Sequence, residues 1–462
     1  MIMQLSLLKI LLRYFSYAFI TVFICNIVFV AIYSFSALIP KDSVIESLQK
    51  AQNFGVLKTP INSIQRSSTG LGIDYGTECA AIAIGLKSLP EENKFVEPFY
   101  DGYLVSGANI GVFDPCSGLV EILDNNNSGS EISQLNSYAR NWWGMSIIVH
   151  IGILFFGLAT VKTYLYISTM LLLGVFYYSF SNYFRDWKIG LYLLFPFILF
   201  GDFQELHNSF PYSLFTIQLF LFAWIVLKLV VSSKYSPINF FVISIVFGSI
   251  YNFVFWYNFH LILTLIPIVI YLLKFKVESI GEIYKKIFLF LSGFSFGFIV
   301  TTLFKWIIGV VLFGNEIWIS IKHALGLRLS SGNSGLNQPL SDYSSAFSDW
   351  PLSIRAIVLN CMVFASKFID PRYASYFGLI LAITMIIFGI LRFSKQFDLR
   401  LRFSKLEIFA FLPILSIPFF YYALTPNHSF NHAALSYRAL PISLGFVLSF
   451  MYLSRIRNDS LK

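Results

Sequence analysis

Long apolar stretches alternate with short polar or charged interruptions along the whole chain. The first runs from about Tyr14 to Leu38. Others lie near Met145–Val161, Tyr164–Ser181, Ile189–Phe200, Ser209–Val231, Asn239–Trp256, Phe259–Leu273, Ile287–Phe313, Leu352–Phe368, Ala374–Leu391, Ile408–Leu424 and Ala439–Leu453. They lack alternating polarity and end at charged or helix-breaking residues, so they predict helices rather than barrel strands. A helix needs roughly 20 apolar residues to cross a hydrocarbon core roughly 30 Å thick, and the expected fold class is an all-α integral membrane bundle of about 10–12 transmembrane helices. As one helix, Asn239–Leu273 would measure roughly 50 Å, too long for one crossing, which predicts a hairpin turning near Tyr257.

One interruption differs in kind. From Pro40 to about Trp143 the chain is polar and rich in glycine, asparagine and acidic residues. A connection longer than about 15 residues generally carries function or orders itself as a small domain. Six regions follow from this pattern. They are a cytoplasmic N-terminus with the first helix (1–39), a large external loop (40–143), membrane helices (144–313), an external loop with a partly buried helix (314–373), C-terminal membrane helices (374–454) and a cytoplasmic tail (455–462).

Charge sets the expected sides. Lys9 and Arg13 precede the first apolar run, which exceeds the roughly 7–15 residues of a cleavable signal and is read as a signal anchor with its N-terminus inside. Basic clusters at Lys274, Lys276, Lys285 and Lys286, at Arg392, Lys395, Arg400, Arg402 and Lys405, and at Arg455, Arg457 and Lys462 are placed in the cytoplasm. Gly201–Asn208, Gly314–Tyr373 and Thr425–Arg438 then fall outside. Parity closes if Leu352–Phe368 does not span and one of the three segments between Met145 and Phe200 is incomplete, leaving about ten crossings.

Composition narrows the class. Of 462 residues, 56% are apolar and 12% charged, against roughly 25% charged in a soluble domain. That excludes a soluble enzyme, a disordered chain, a coiled coil and a collagen. The net charge of +9 sits in clusters between apolar segments, so it orients the chain in a bilayer and predicts no nucleic-acid partner. Cys25 and Cys361 lie in apolar segments, whereas Cys79 and Cys116 lie in the large loop. In an oxidising compartment the latter two form a disulfide; otherwise they are two buried thiols.

Ionisable residues at the outer face carry the candidate chemistry. Positive charge outside opposes the insertion bias, so Arg140, Lys322, Arg328, Arg372, His428, His432 and Arg438 together call for an anionic partner such as a lipid phosphate. Singly, each can snorkel or pair with a loop carboxylate. In Gly72-Ile-Asp-Tyr-Gly-Thr-Glu78, Asp74 and Glu78 share a face if the stretch is helical, and Ala80–Leu86 would dip into the bilayer edge. A carboxylate held there can act as general base toward a sugar hydroxyl; the alternative is a capping Asp74 and a solvated Glu78. Asp101 and Asp114 read as turn residues. Asp202, Glu205 and His207 form a polar island that can bind a metal, contact a sugar or cap a helix. His428 and His432 are four apart but lack the surrounding zinc pattern, and donation to a phosphate suits the neighbouring Arg438 better. Lys305 lies deep in an apolar segment, facing the interior, contacting a phosphate or snorkelling. No nucleotide-binding motif and no cysteine metal motif occurs, and no metal site is assigned.

An inside N-terminus, a large external first loop with acidic residues and about ten further apolar segments resemble the GT-C superfamily of polytopic glycosyltransferases. More locally, Asp74-Tyr-Gly-Thr-Glu78, Tyr138-Ala-Arg-Asn-Trp-Trp-Gly144 and Asn427-His-Ser-Phe-Asn-His-Ala-Ala-Leu-Ser-Tyr-Arg438 look like the pattern Asp-x-x-Thr-Asp, Arg-Tyr-Trp-His-Gly and Asn-His-x-x-x-His with Tyr-Arg of bacterial surface-polysaccharide membrane proteins. Glu78 replaces the second acid, and Trp143 the histidine. The resemblance implies transfer of a sugar from a polyprenyl-phosphate donor to a glycan or glycolipid acceptor, for example an O-antigen, outside a bacterial inner membrane. It implies Asp74 as base, Glu78 as its partner or a substrate contact, and Arg140, Lys305, His428, His432 and Arg438 at the lipid phosphate. A divalent metal is required in some members of that superfamily and not in others. Competing readings are an O-antigen polymerase or ligase, a transporter or flippase of lipid-linked sugars with helices broken at Pro196, Pro211 or Pro267, and a structural membrane component.

Overall fold

The computed structural model describes residues 2–57, 64–66, 72–86, 95–96, 99, 103–105, 115–125, 135–137, 142–201, 206–207, 209–231, 236–254, 260–274, 280–329, 350–365, 405–426, 429 and 436–459. Helix α1 (Ile2–Ser36) leads into a small domain made of α2 (Lys41–Asn53), β1 (Ile64–Arg66), β2 (Gly72–Asp74), α3 (Tyr75–Ala83), β3 (Tyr103–Val105), α4 (Pro115–Asn125) and β4 (Leu135–Ser137). The bundle follows with α5 (Gly144–Phe156), α6 (Leu158–Phe184), α7 (Trp187–Phe200), α8 (Phe210–Val231), α9 (Pro237–Val254), α10 (His260–Lys274), α11 (Ile280–Phe313), α12 (Asn315–Leu329), α13 (Leu352–Ala365), α14 (Lys405–Leu424) and α15 (Ala439–Asp459).

Among the described residues, five helices are long and apolar enough to cross a membrane: α1, α6, α8, α9 and α11. Large apolar side chains on their outer faces are open, including Phe23, Leu171, Tyr178, Ile307 and Val311. In water such faces would be a liability, and lipid is their natural cover. The chain is therefore a helical membrane protein. Segment Met145–Val161 ends early because Gly157 takes a left-handed backbone, φ 73°, which separates α5 from α6. The 13 residues of α5 and 14 of α7 rise only about 20 Å each, so two of the three segments in that region are short. Ala374–Leu391 and the basic cluster from Arg392 to Arg402 lie outside the described residues.

At the centre is α8, whose Phe215, Leu219, Phe220, Ala223 and Val226 are buried, with α6, α7 and α10 packed on it. The apolar run from Asn239 does divide, into α9 and α10, but the two arms pack chiefly on other helices: α9 on α11 and α1, α10 on α8. Small residues explain the first choice. A Cβ on Gly248 would run into the carbonyl oxygen of Phe294, one on Gly297 into that of Ile245, and one on Gly293 into that of Phe241. Backbones therefore meet directly, as they do at small-xxx-small seams in lipid. Pro196 and Pro267 lie inside continuous helices α7 and α10, and Pro211 sits in the first turn of α8. None of the three breaks its helix as the transporter reading expected; neighbouring helices support the backbone freed at such prolines.

The small domain has its own core. Val44, Ile45, Leu48, Ile82, Leu119 and Ile122 pack together with Met145, Val149 and Ile153 of α5 and Phe210 of α8. Cys79 and Cys116 are joined by a disulfide, Cα to Cα 4.9 Å, tying α3 to α4. Strand β2 pairs antiparallel with β1, and β3 with β4.

Candidate functional site

Helix α3 starts at Tyr75, so Asp74 is the last residue of β2, opposite Ile64, and precedes the helix rather than lying on it. The expectation that Asp74 and Glu78 share a helical face is corrected accordingly. Only Glu78 is on α3, and its carboxylate is buried, 2.5 Å from the ammonium of Lys162 on α6. The stretch after it does not dip into a bilayer. Ala81, Ile82, Ala83, Ile84 and Leu86 are buried in the protein, and the Ile82 carbonyl is 2.7 Å from His150 Nε2 of α5. Hydrophobicity alone cannot distinguish a lipid contact from a protein interior, and here the disulfide and α5 claim that face.

One stripe of α6 aligns the pieces. Lys162, Tyr166 and Thr169 follow i, i+4, i+7 spacing and face one way. Lys162 meets Glu78 of the small domain; the Tyr166 ring meets His207 edge-on at 5.7 Å; the Thr169 hydroxyl donates to the Ser213 carbonyl at 3.4 Å. His207 is exposed, whereas the preceding Leu206 is buried, its carbonyl accepting from Ser213 Oγ at 2.5 Å.

The first turn of α8 is the meeting point. Phe210 is buried in the core of the small domain. Two residues on, roughly 200° around the helix, Tyr212 donates its hydroxyl to the Gly201 carbonyl and offers its ring to Arg438, whose guanidinium carbon lies 4.2 Å from the ring centroid. Arg438 is buried, and the hydroxyl of neighbouring Tyr437 donates to the Phe200 carbonyl at 3.1 Å. Asn360 of α13 holds the same segment: its amide donates to the Ser429 carbonyl at 3.0 Å, and its carbonyl accepts from Ser436 Oγ at 2.6 Å. The segments before α8, before α15 and on α13, all expected on one side by charge, are thus brought together.

A guanidinium stacked on an aromatic face keeps its edge donors in a plane suited to a phosphate or carboxylate. Among the described cations expected on the outer side, Arg438 is buried against an aromatic face. Lys305 is placed otherwise. Its ammonium, on α11, is enclosed by protein, 5.0 Å from the ring centroid of Tyr33, 4.8 Å from that of Phe99 and 5.3 Å from that of Trp142. It also donates to the Phe99 carbonyl at 3.3 Å. Of its sequence-level alternatives, the interior one is realised, and snorkelling is excluded.

Arg140, Asp202, Glu205, His428 and His432, with Asp101, Asp114 and Arg372, lie outside the described residues. Lys322 is exposed on α12, its ammonium 5.3 Å from the Trp318 ring centroid. Among the described residues, no three His, Cys, Asp or Glu side chains converge as metal ligands. Sequence reasoning missed Lys162, Tyr212 and Asn360. The signal for Lys162 was present: a lone cation in an apolar helix, in register with Tyr166 and Thr169. Compared with protein-family models, curated proteins and solved structures, the chain has no match.

Proposed function

We propose that the chain is a GT-C-type glycosyltransferase of a bacterial inner membrane, with both termini cytoplasmic, which moves a sugar from a polyprenyl-phosphate donor to a cell-surface glycan such as an O-antigen. The observation that carries the reading is the double use of the first turn of α8. The domain bearing Asp74 packs on it through Phe210, and Arg438 stacks on it through Tyr212. A disulfide within that domain supports an oxidising, extracytoplasmic setting.

In this proposal Asp74 takes the proton of the acceptor hydroxyl as its oxygen bonds to the anomeric carbon. The bond from that carbon to the phosphate oxygen breaks, and polyprenyl phosphate departs with the electron pair. Arg438, with Arg140, His428 and His432, stabilises the negative charge that develops, an effect strengthened where water is scarce. Asp202, Glu205 and His207 are taken as substrate contacts in this reading. Glu78 holds the domain in place through Lys162, and Lys305 takes no part in phosphate binding.

The test is transfer from a radiolabelled polyprenyl-phosphate sugar by the purified protein and its Asp74→Asn variant. Loss of a general base lowers turnover by about 100-fold or more with donor binding retained. Undiminished transfer by the variant removes the assigned base, and addition of whole repeats rather than single sugars would make the protein a polymerase.

A further inference from the structure

Lys305 lies eight residues before the end of α11, roughly 12 Å along the axis, and is only 1% exposed. The ion pairs among the described residues, Lys50–Glu46, Lys162–Glu78 and Lys285–Glu282, do not include it. An ammonium so deep must recover its lost hydration from the groups around it. Those groups come from three separated stretches of chain: Tyr33 from α1, Phe99 from the small domain and Trp142 from the segment entering α5. The faces of aromatic rings carry the negative end of a quadrupole, and a cation held among several of them is attracted to each.

The surrounding bonds run through the same three stretches. Trp142 Nε1 donates to the Thr301 carbonyl at 3.1 Å, one turn before Lys305. The Thr301 hydroxyl accepts from Asn26 of α1 at 3.4 Å. The Trp143 backbone N–H donates to the Tyr33 hydroxyl. Phe29, Tyr33, Phe99, Trp142 and Phe253 close around the site as one buried aromatic cluster. The Trp142-Trp143 pair lies within the motif Tyr138–Gly144, and its position explains why large rings stand there: Trp142 walls the cage and Trp143 anchors its backbone to Tyr33.

We infer that Lys305 is a charge-dependent latch, its ammonium gripping Phe99 and Trp142 so that the Phe99 stretch and the entry to α5 stay held against α1 and α11. The inference rests on this geometry alone and is independent of the reaction proposed above. A neutral side chain of equal length fills the space but loses the attraction to three rings and the bond to the Phe99 carbonyl. A second cation keeps both.

Hydrogen–deuterium exchange on the full-length protein in nanodiscs of neutral phospholipid tests this. In Lys305→Met, exchange at residues 95–99 and 142–143 should rise by about tenfold, while α8 and α10 exchange as in the wild type. Lys305→Arg should exchange more slowly than Lys305→Met at the same residues. Trp142→Phe, which keeps a ring but loses the bond to Thr301, should give a smaller local rise and serves if Lys305→Met does not fold. Unchanged exchange at 95–99 in Lys305→Met overturns the latch. So does an equal rise in α8 and α10, equal rates in the Arg and Met variants, or, where Trp142→Phe serves, no rise at 142–143.

Discussion

Glu78 of α3 and Lys162 of α6 form an ion pair 2.5 Å long, with side chains only 3% and 9% exposed. The pair joins the small domain to the membrane bundle, with both side chains buried. Removing one partner leaves the other's buried charge without its opposite at this contact. Glu78→Gln or Lys162→Met should each destabilise the protein by about 3–5 kcal/mol, and a double change to apolar residues of similar volume should recover most of it. Thermal unfolding of the reconstituted protein measures this. An additive double variant would mean that the pair is not coupled.

The pair Glu46–Lys50 provides the contrast. It lies i, i+4 on α2, 2.7 Å apart with both side chains 66% exposed. A hydrogen bond from the Lys50 ammonium, and then its charge, hold the Glu46 carboxyl below its usual value. A depressed folded-state value adds stability above the unfolded value and loses it as pH falls through the folded one. Solvent screening makes that contribution small. Glu46→Gln should leave the unfolding temperature unchanged at neutral pH, and the difference between variant and wild type should not grow on acidification.

The disulfide should matter more. Cys79 and Cys116 close a sequence separation of 37, for which chain entropy predicts about 4 kcal/mol of stabilisation. A Cys79→Ser, Cys116→Ser variant should show early protease cleavage within residues 40–143 while fragments of α6 to α11 survive. Uniform degradation of the whole chain would contradict a separately closed domain.

Glycines separate seam from lipid face. Gly248→Ala places its Cβ against the Phe294 carbonyl and should cost about 1–3 kcal/mol by forcing α9 from α11. At Gly174 nothing lies within 4 Å of such a Cβ, and Gly174→Ala should stabilise α6 by about 0.5–1 kcal/mol. Unfolding midpoints of the two variants, measured side by side, should move in opposite directions.

Much of the architecture is legible in the residues. Apolar runs locate the helices because length and hydropathy are local properties, and the shared location of Cys79 and Cys116 in one polar loop anticipates their bond. Partner choice is not local. Ala80–Leu86 read as a membrane-edge face because nothing in that stretch announces α5 behind it. Lys162 escaped notice at the junction of two apolar segments that Gly157, four residues upstream of Val161, divides differently. The run from Asn239 divides between Val254 and His260, where the length argument put a turn, but that argument could not say that α9 would pack through Gly248 on α11. For the site, Arg438 was legible as an outer cation, but its seat on Tyr212 depends on a contact between residues 226 positions apart.

Central to the proposed reaction is a lipid phosphate held beside Arg438 at the first turn of α8, the turn whose opposite face seats the small domain. Photo-crosslinking with a diazirine-bearing polyprenyl phosphate, followed by peptide mapping, addresses it directly. Label within residues 201–212 and 425–438, displaced by unlabelled polyprenyl-phosphate sugar and lost in Arg438→Met, is the predicted result. Label confined to the open faces of α1, α6 and α11, undiminished by competitor, would contradict it.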